Sequence, residues 1–363
     1  MRCLYKYNIF QKIQINDHYL IKIEEKLSFR EKFSLFLQLL LKLQMLYLIV
    51  FIGLFLLELL YFKIAGKYNI IDKPNERSSH TKITLRGGGV IFYFGVLAFF
   101  ISSGFQYPWF FLGLTLITFI SFLDDIYSLS NKIRIAVQLT SMLLMFYEVH
   151  LFGFPIWVAL VALIFCVGIT NAYNFMDGIN GITVANSVAI LILLGIANNS
   201  IGFVNQDIIY FSIIACLVFG FFNFRRKAKT FAGDVGAVAI AFIILFLLLL
   251  LMIKTENLIY CLFLFVYGID SVMTIIHRIR KKENIFEAHR SHLYQYLANE
   301  AKVNPLLVSG IYAFIQVLVG LLVMYMSNFD WRIQLVFFVM MLLLGILVYI
   351  LTKNTLKKKY NFQ

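Results

Sequence analysis

Charge is scarce in this 363-residue chain: Asp, Glu, Lys and Arg make up 14% of it, against 61% hydrophobic residues and a mean hydropathy of +0.83. That balance excludes an ordinary soluble globular domain and leaves an integral membrane protein. The sustained polar/apolar alternation of a transmembrane barrel is also missing, so helices remain as the way to satisfy every backbone N–H and C=O in hydrocarbon. Of the four cysteines, Cys166, Cys216 and Cys261 fall inside apolar runs, and no CxxC pair or Cys/His cluster with zinc spacing occurs. Disulfides and structural zinc are therefore not expected. No repeat or low-complexity tract divides the chain, and no cleavage-site pattern marks a signal peptide.

Apolar runs of spanning length are abundant, at 45–64, 88–105, 108–123, 134–150, 155–172, 183–198, 208–224, 235–253, 257–277, 306–326 and 333–352. The expected fold is an all-α, polytopic transmembrane bundle of about eleven spans. Basic residues gather in the odd-numbered connections, for example Lys67 to Arg86, Lys132 with Arg134, Arg225 to Lys229 and Arg278 to Lys302, and in the tail Lys353 to Lys359. By the positive-inside rule those loops and the C-terminus face the cytoplasm. The net charge of +13 is then a topology signal and calls for no nucleic-acid partner.

Residues 1–44 conflict with this orientation, because Arg2, Lys6, Lys12, Lys22, Lys26, Arg30, Lys32 and Lys42 would lie on the wrong side. They are read either as an interfacial amphipathic helix or as lying outside the natural protein, with Met45 as its start. The remaining partition is a transmembrane domain over 45–352 and a basic tail over 353–363.

Five polar clusters fall in the odd loops: DKPNERSSHTKITLRGGG (72–89), FLDDIYSLSNK (122–132), TNAYNFMDGING (170–181), FAGDVG (231–236) and IFEAHRSHLYQYL (285–297). Adjacent Asp124 and Asp125 repel unless a cation or proton lies between them, although a solvated helix end would also explain them. Asn174, Asp177 and Asn180 are spaced by three, which a helical turn would align on one face; a Gly-terminated helix with Asn and Asp caps is the bland alternative. Asp234 either caps the following span or ligates a metal. Carboxylates without a companion cysteine or clustered histidine suit a hard cation such as Mg²⁺. Arg77, His80, Lys82, Arg86, Arg290 and the histidines 289 and 292 supply charge for phosphate oxygens, and the triple glycine at 87–89 opens a helix whose N-terminus favours anions.

Taken in order from about Ile64 to Leu297, these motifs resemble those of the bacterial polyprenyl-phosphate N-acetylhexosamine-1-phosphate transferases. That family includes initiators of O-antigen and teichoic-acid linkage units and the phospho-muramoyl-pentapeptide translocase. DKPNERSSH with LRGGG resembles the first cytoplasmic loop, Asp124 and Asp125 the aspartate pair, NAYNFMDGING the NxxNFxDGxDG element, and FAGDVG the FxGDxGS element. IFEAHRSHLYQYL is similar to the last large cytoplasmic loop, in a form closer to the O-antigen initiators. Departures are Leu85 before Arg86, Asn180 for the second aspartate of DGxDG, and Ala237 for serine. Asn180 is not expected to bind metal, and its replacement by Asp is expected to be tolerated.

The resemblance implies Mg²⁺-dependent transfer of HexNAc-1-phosphate from a UDP-sugar to undecaprenyl phosphate in the bacterial inner membrane, with UMP released, Mn²⁺ an alternative ion and a homodimer left open. It implies Asp234 and Asp125 as metal ligands, Asp124 or Asp177 at the acceptor phosphate, Asn174 at phosphate or metal, and Phe231 stacked on uracil. Arg77, His80, Arg86, His289, Arg290 and His292 would contact phosphates. Two rivals were a membrane prenyltransferase, which wants DDxxD or DxxxD pairs that neither Asp124 nor Asp177 begins, and a secondary transporter, which wants ionisable groups near the midplane.

Overall fold

The computed structural model describes residues 29–72, 83–284 and 290–360, with side chains from residue 44 onward. Arg77, His80 and His289, three of the expected phosphate contacts, lie outside the described residues. The chain divides into a unit of Met1–Ile49 and a unit of Val50–Gln363.

Helix α1 (Phe29–Lys67) is followed by a two-strand ladder, β1 (Ile71–Asp72) against β2 (Thr84–Leu85), antiparallel with Ile71 opposite Leu85. A 3-10 turn at Gly88–Val90 leads into α2 (Ile91–Ser102). Then come α3 (Pro108–Tyr127), α4 (Asn131–Glu148), α5 (Ile156–Met176), α6 (Ile182–Ile201), α7 (Gln206–Asn223) and α8 (Gly233–Thr255). A 3-10 segment at Leu258–Leu264 runs into α9 (Phe265–Arg280). The short α10 (Leu293–Gln295), α11 (Pro305–Met326) and α12 (Trp331–Tyr360) complete the chain.

Each apolar run read from the sequence is helical over most of its length, and nine helices among the described residues are long and apolar enough to cross a membrane. The two other runs differ for separate reasons. Gly88–Ser102 is apolar but short, and α4 carries Lys132, Arg134 and Glu148 within eighteen residues. A helix that is apolar on every side belongs in the centre of a bundle. The most apolar one, α8, has 78% of its best window buried, packed by α2, α3, α5 and α6. At the other extreme α12 buries 6% of its window, leaving its apolar sides to the surroundings.

With successive spans alternating in direction, the C-terminal ends of α3 and α5 and the N-terminal ends of α4 and α8 meet at one end of the bundle. The Arg86 segment ahead of α2 joins them there.

Candidate active site

Two backbone segments form the floor of the site. Leu85 and Thr230 make a parallel bridge, and the Phe231 N–H donates to the Leu85 carbonyl at 2.8 Å. Gly88 and Gly89 donate their N–H groups to the Phe231 and Ala232 carbonyls at 3.0 and 3.2 Å. A Cβ on Gly89 would collide with the Gly236 Cα, and one on Gly88 with the Thr230 and Glu58 side chains. The glycines of LRGGG and FAGDVG thus let two backbones touch. This corrects the reading of the triple glycine as an anion site, since the N–H groups of Gly88 and Gly89 are consumed by carbonyls. The junction also sets Arg86, whose carbonyl accepts the Tyr61 hydroxyl at 2.5 Å, against the start of α8.

The aspartates divide their work in a way the sequence left open. Both oxygens of Asp125, whose side chain is fully buried, accept N–H groups of α8, from Asp234 and Val235 at 3.0 Å each. Those donors have no partner within their own helix, so a carboxylate from α3 caps α8 from outside. Asp125 is also 2.6 Å from the Arg86 Nε. Asp234 is consequently no cap. Its oxygens face Arg86 at 3.0 Å and Arg134 at 3.4 Å. Asp124 accepts the Leu129 N–H at 2.7 Å and pairs with Arg134 at 2.9 Å. Arg134 forks between Asp124 and Asp234, a planar geometry that guanidinium provides and an ammonium does not.

Sequence reading treated Arg134 as a topology residue. Its signal was position: it falls in the first turn of the helix that follows the aspartate pair.

Three carboxyl groups face two guanidinium groups in an all-oxygen acceptor set. Among the described residues, no three His, Cys, Asp or Glu side chains converge to hold an ion by themselves. Mg²⁺ is commonly held by one or two carboxylates together with substrate phosphates and water, so this donor set fits that ion.

TNAYNFMDGING straddles the end of α5. The helix stops at Met176, so Asp177 and Asn180 lie in the connection, and the expected alignment of Asn174, Asp177 and Asn180 on a helical face does not form. Asp177 accepts the Thr183 hydroxyl at 2.6 Å, and burial pushes its carboxyl up to about 6, with that hydrogen bond opposing and nearby Asp234 adding. Asn174, on the last turn of α5, is half-buried. Gly181 takes φ +84°, a left-handed conformation that suits glycine, and its N–H donates to Asn223 Oδ1 at 2.8 Å.

Asn180 donates its amide to the Arg225 and Arg226 carbonyls at 2.9 and 3.3 Å. Aspartate has no proton to give there when ionised. This hydrogen-bond polarity argues against the expectation that Asn180→Asp would be tolerated.

The loop is held from a further side by Tyr294, whose hydroxyl donates to the Phe175 carbonyl at 2.9 Å and would meet any Cβ on Gly178. Tyr294 is placed in turn by Asp270 of α9. That buried carboxylate accepts the Leu293 and Tyr294 N–H groups at 3.0 and 3.3 Å and the Tyr312 hydroxyl at 2.8 Å, with His292 Nδ1 at 3.2 Å. His292 is 2% exposed and heads α10, with its Nδ1 directed at Asp270. Arg290 and Phe231 remain partly exposed. Asp270 was missed in the sequence, although a lone carboxylate in the apolar run FVYGIDSVM is the kind of residue that flags a role inside a membrane span.

Comparison with known proteins points the same way. The model of the family described as glycosyl transferase family 4 matches residues 107–252, which include Asp124, Asp125, Arg134, Asn174, Asp177, Phe231 and Asp234. A probable undecaprenyl-phosphate N-acetylglucosaminyl 1-phosphate transferase of Bacillus subtilis (strain 168) is 28% identical over 258 residues, covering 65% of this chain and 71% of that protein. An undecaprenyl-phosphate alpha-N-acetylglucosaminyl 1-phosphate transferase of Yersinia pestis is 26% identical over 288 residues, 69% of this chain and 75% of its own. One of Thermotoga maritima is 28% identical over 265 residues, 68% and 79%.

Proposed function

We infer that this chain, whose residues 107–252 belong to glycosyl transferase family 4, is a membrane-embedded polyprenyl-phosphate sugar-1-phosphate transferase. It moves an N-acetylhexosamine-1-phosphate from a UDP-sugar to undecaprenyl phosphate, releases UMP and so begins a cell-surface polysaccharide. The observation that carries this reading is the set Asp124, Asp125 and Asp234 gathered with Arg86 and Arg134 at one end of the bundle, beside the Asp177 loop. That place suits a reaction between a soluble nucleotide and a lipid. The basic odd loops support a site facing the cytoplasm by the positive-inside rule, and the reading takes the membrane to be the bacterial inner membrane.

In the reaction an oxygen of the lipid phosphate attacks the sugar-linked phosphorus, and the bond from that phosphorus to the bridging oxygen of UMP breaks. A bound Mg²⁺, or Mn²⁺ in its place, would offset charge on the pyrophosphate and orient it. Asp234 and Asp124, which share Arg134, would be its ligands, with Asn174 at phosphate or metal. Asp125 passes from ligand to positioning residue because its side chain is fully buried under the two α8 N–H groups and Arg86, whereas those of Asp124 and Asp234 keep 8% and 17% of their surface open. Arg86, Arg134 and Arg290 compensate phosphate charge, and Phe231 stacks on the uracil. Asp177 takes the proton of the acceptor phosphate: burial raises its carboxyl to about 6, which favours its holding a proton. Positioning and electrostatics then account for most of the rate.

The test offers purified protein a panel of UDP-N-acetylhexosamines with undecaprenyl phosphate and follows UMP and lipid product. A single productive donor identifies both class and sugar. Product-free substrate uptake into proteoliposomes would replace the reading with a transporter.

A further inference from the structure

Helices α9 and α12 enclose a cleft of about 200 Å³ that no step of the proposed reaction uses. Its walls are two stripes. Met273, Ile276, His277 and Arg280 come from α9, and Tyr349, Ile350, Lys353 and Lys357 from α12. Both follow the three-to-four residue spacing that keeps side chains on one helix face. Along both helices the lining changes in the same direction, from apolar to basic, and the basic part coincides with the last turns of both helices.

The cations in this cleft outnumber what neighbouring acids can answer. Glu283 pairs with Arg278 at 3.0 Å. The Asp270 carboxylate accepts the Leu293 and Tyr294 N–H groups and the Tyr312 and Thr274 hydroxyls, and faces His292. Among the described residues no carboxylate forms an ion pair with His277, Arg280, Lys353 or Lys357. Cations in a last turn also offset the helix macrodipole, which accounts for Arg280 and Lys357 singly. It does not account for Lys353, which is 5% exposed and more than a turn inside the end of α12. Its Nζ lies 5.1 and 5.3 Å from the Tyr296 and Tyr349 ring centroids and donates to the Tyr349 hydroxyl at 3.1 Å. A buried ammonium, two further cations and an apolar base, beside the largely unburied α12, match one kind of molecule in shape and charge.

We propose that this cleft is a binding site for an anionic glycerophospholipid, the phosphate held by Arg280, Lys353 and Lys357 and the glycerol end of an acyl chain lying over Met273, Ile276 and Ile350. The occupant is a membrane lipid and not the transferred sugar phosphate, because the apolar half of the cleft has nothing to offer a soluble anion. Lys353 also reaches the Ser291 carbonyl at 3.4 Å, so a bound headgroup would bear on the segment that carries His292 and Tyr294.

Native mass spectrometry of the full chain, released from neutral detergent and titrated separately with phosphatidylglycerol, phosphatidylcholine and inorganic phosphate, tests this. Wild type should retain one phosphatidylglycerol more tightly than any phosphatidylcholine. The double variant Arg280→Gln/Lys357→Gln should weaken that event by at least about 10-fold. Ile350→Trp, which fills the apolar half and leaves the charges, should weaken it as well, and covers the case in which the double variant fails to fold. Undiminished phosphatidylglycerol retention in a folded variant of either kind overturns the proposal. So does equal retention of phosphatidylcholine, or full displacement of the lipid by millimolar inorganic phosphate.

Discussion

Replacing Asp234 by Asn and, separately, Asp125 by Asn distinguishes a carboxylate that does chemistry from one that holds structure. Asp234 contacts Arg86 at 3.0 Å and Arg134 at 3.4 Å, with both guanidinium groups about a third exposed (33% and 36%). A charge-assisted hydrogen bond is worth about 1.5–3 kcal/mol when sheltered. Solvent screening at this exposure brings the loss for Asp234→Asn down to about 1 kcal/mol. Asp125 is fully buried and accepts two backbone N–H groups and the Arg86 Nε. An amide there must aim its NH₂ at one of these donors, stranding it, and also removes the charge that answers Arg86. The cost is about 3–5 kcal/mol, the scale of breaking a buried pair. Turnover should fall on the order of 10²-fold or more in Asp234→Asn, the scale of one preorganised electrostatic contact. The assay is UMP release at limiting Mg²⁺, paired with thermal unfolding in detergent. Expected are near-wild-type unfolding with little turnover for Asp234→Asn, and early unfolding for Asp125→Asn. Near-normal turnover of Asp234→Asn would refute the ligand assignment, and wild-type unfolding of Asp125→Asn would refute the external cap.

Asn180→Asp places a carboxylate against the Arg225 and Arg226 carbonyls and should lower stability by about 1–3 kcal/mol, read as an earlier unfolding midpoint. Because the Asp177 carboxyl is raised to about 6 in the folded chain, its stabilising proton is fully held below about pH 4 and lost as pH rises through about 6; relative to pH 4, roughly 3 kcal/mol should be missing at pH 8. Asp177→Asn should flatten that pH dependence in unfolding scans while lowering UMP release, and wild-type UMP release should climb through about pH 6. In a background without native cysteines, Ser128→Cys should resist an impermeant thiol reagent on intact cells and Asn199→Cys should react, the reverse pattern inverting the proposed orientation. A chain begun at Met45 should insert and turn over substrate, because every motif lies beyond it; loss of turnover in a well-inserted protein would assign residues 1–44 a part in the reaction.

The sequence by itself determined that the chain spans a membrane, where its helices lie and which loops share a side. Hydropathy over a window and the alternation of spans are local properties, and they need no knowledge of neighbours. Motif order along the chain also brought Asp124, Asp125, Asp177 and Asp234 into one candidate site. What each of those carboxylates does was decided only by tertiary structure. Asp125 and Asp234 have the same chemistry, yet one caps a helix 109 positions away and the other faces two arginines. The same holds for the residues the sequence reading passed over. Arg134 looked like any charge at a span end until α3 and α8 met around it, and Asp270 like an isolated acid until five donors from three segments converged on it. The glycines of LRGGG could equally have cradled an anion, and the approach of Gly236 settled that they pack backbone on backbone. A side chain's type sets which contacts it can make, and the fold, through contacts distant in sequence, selects the one that forms.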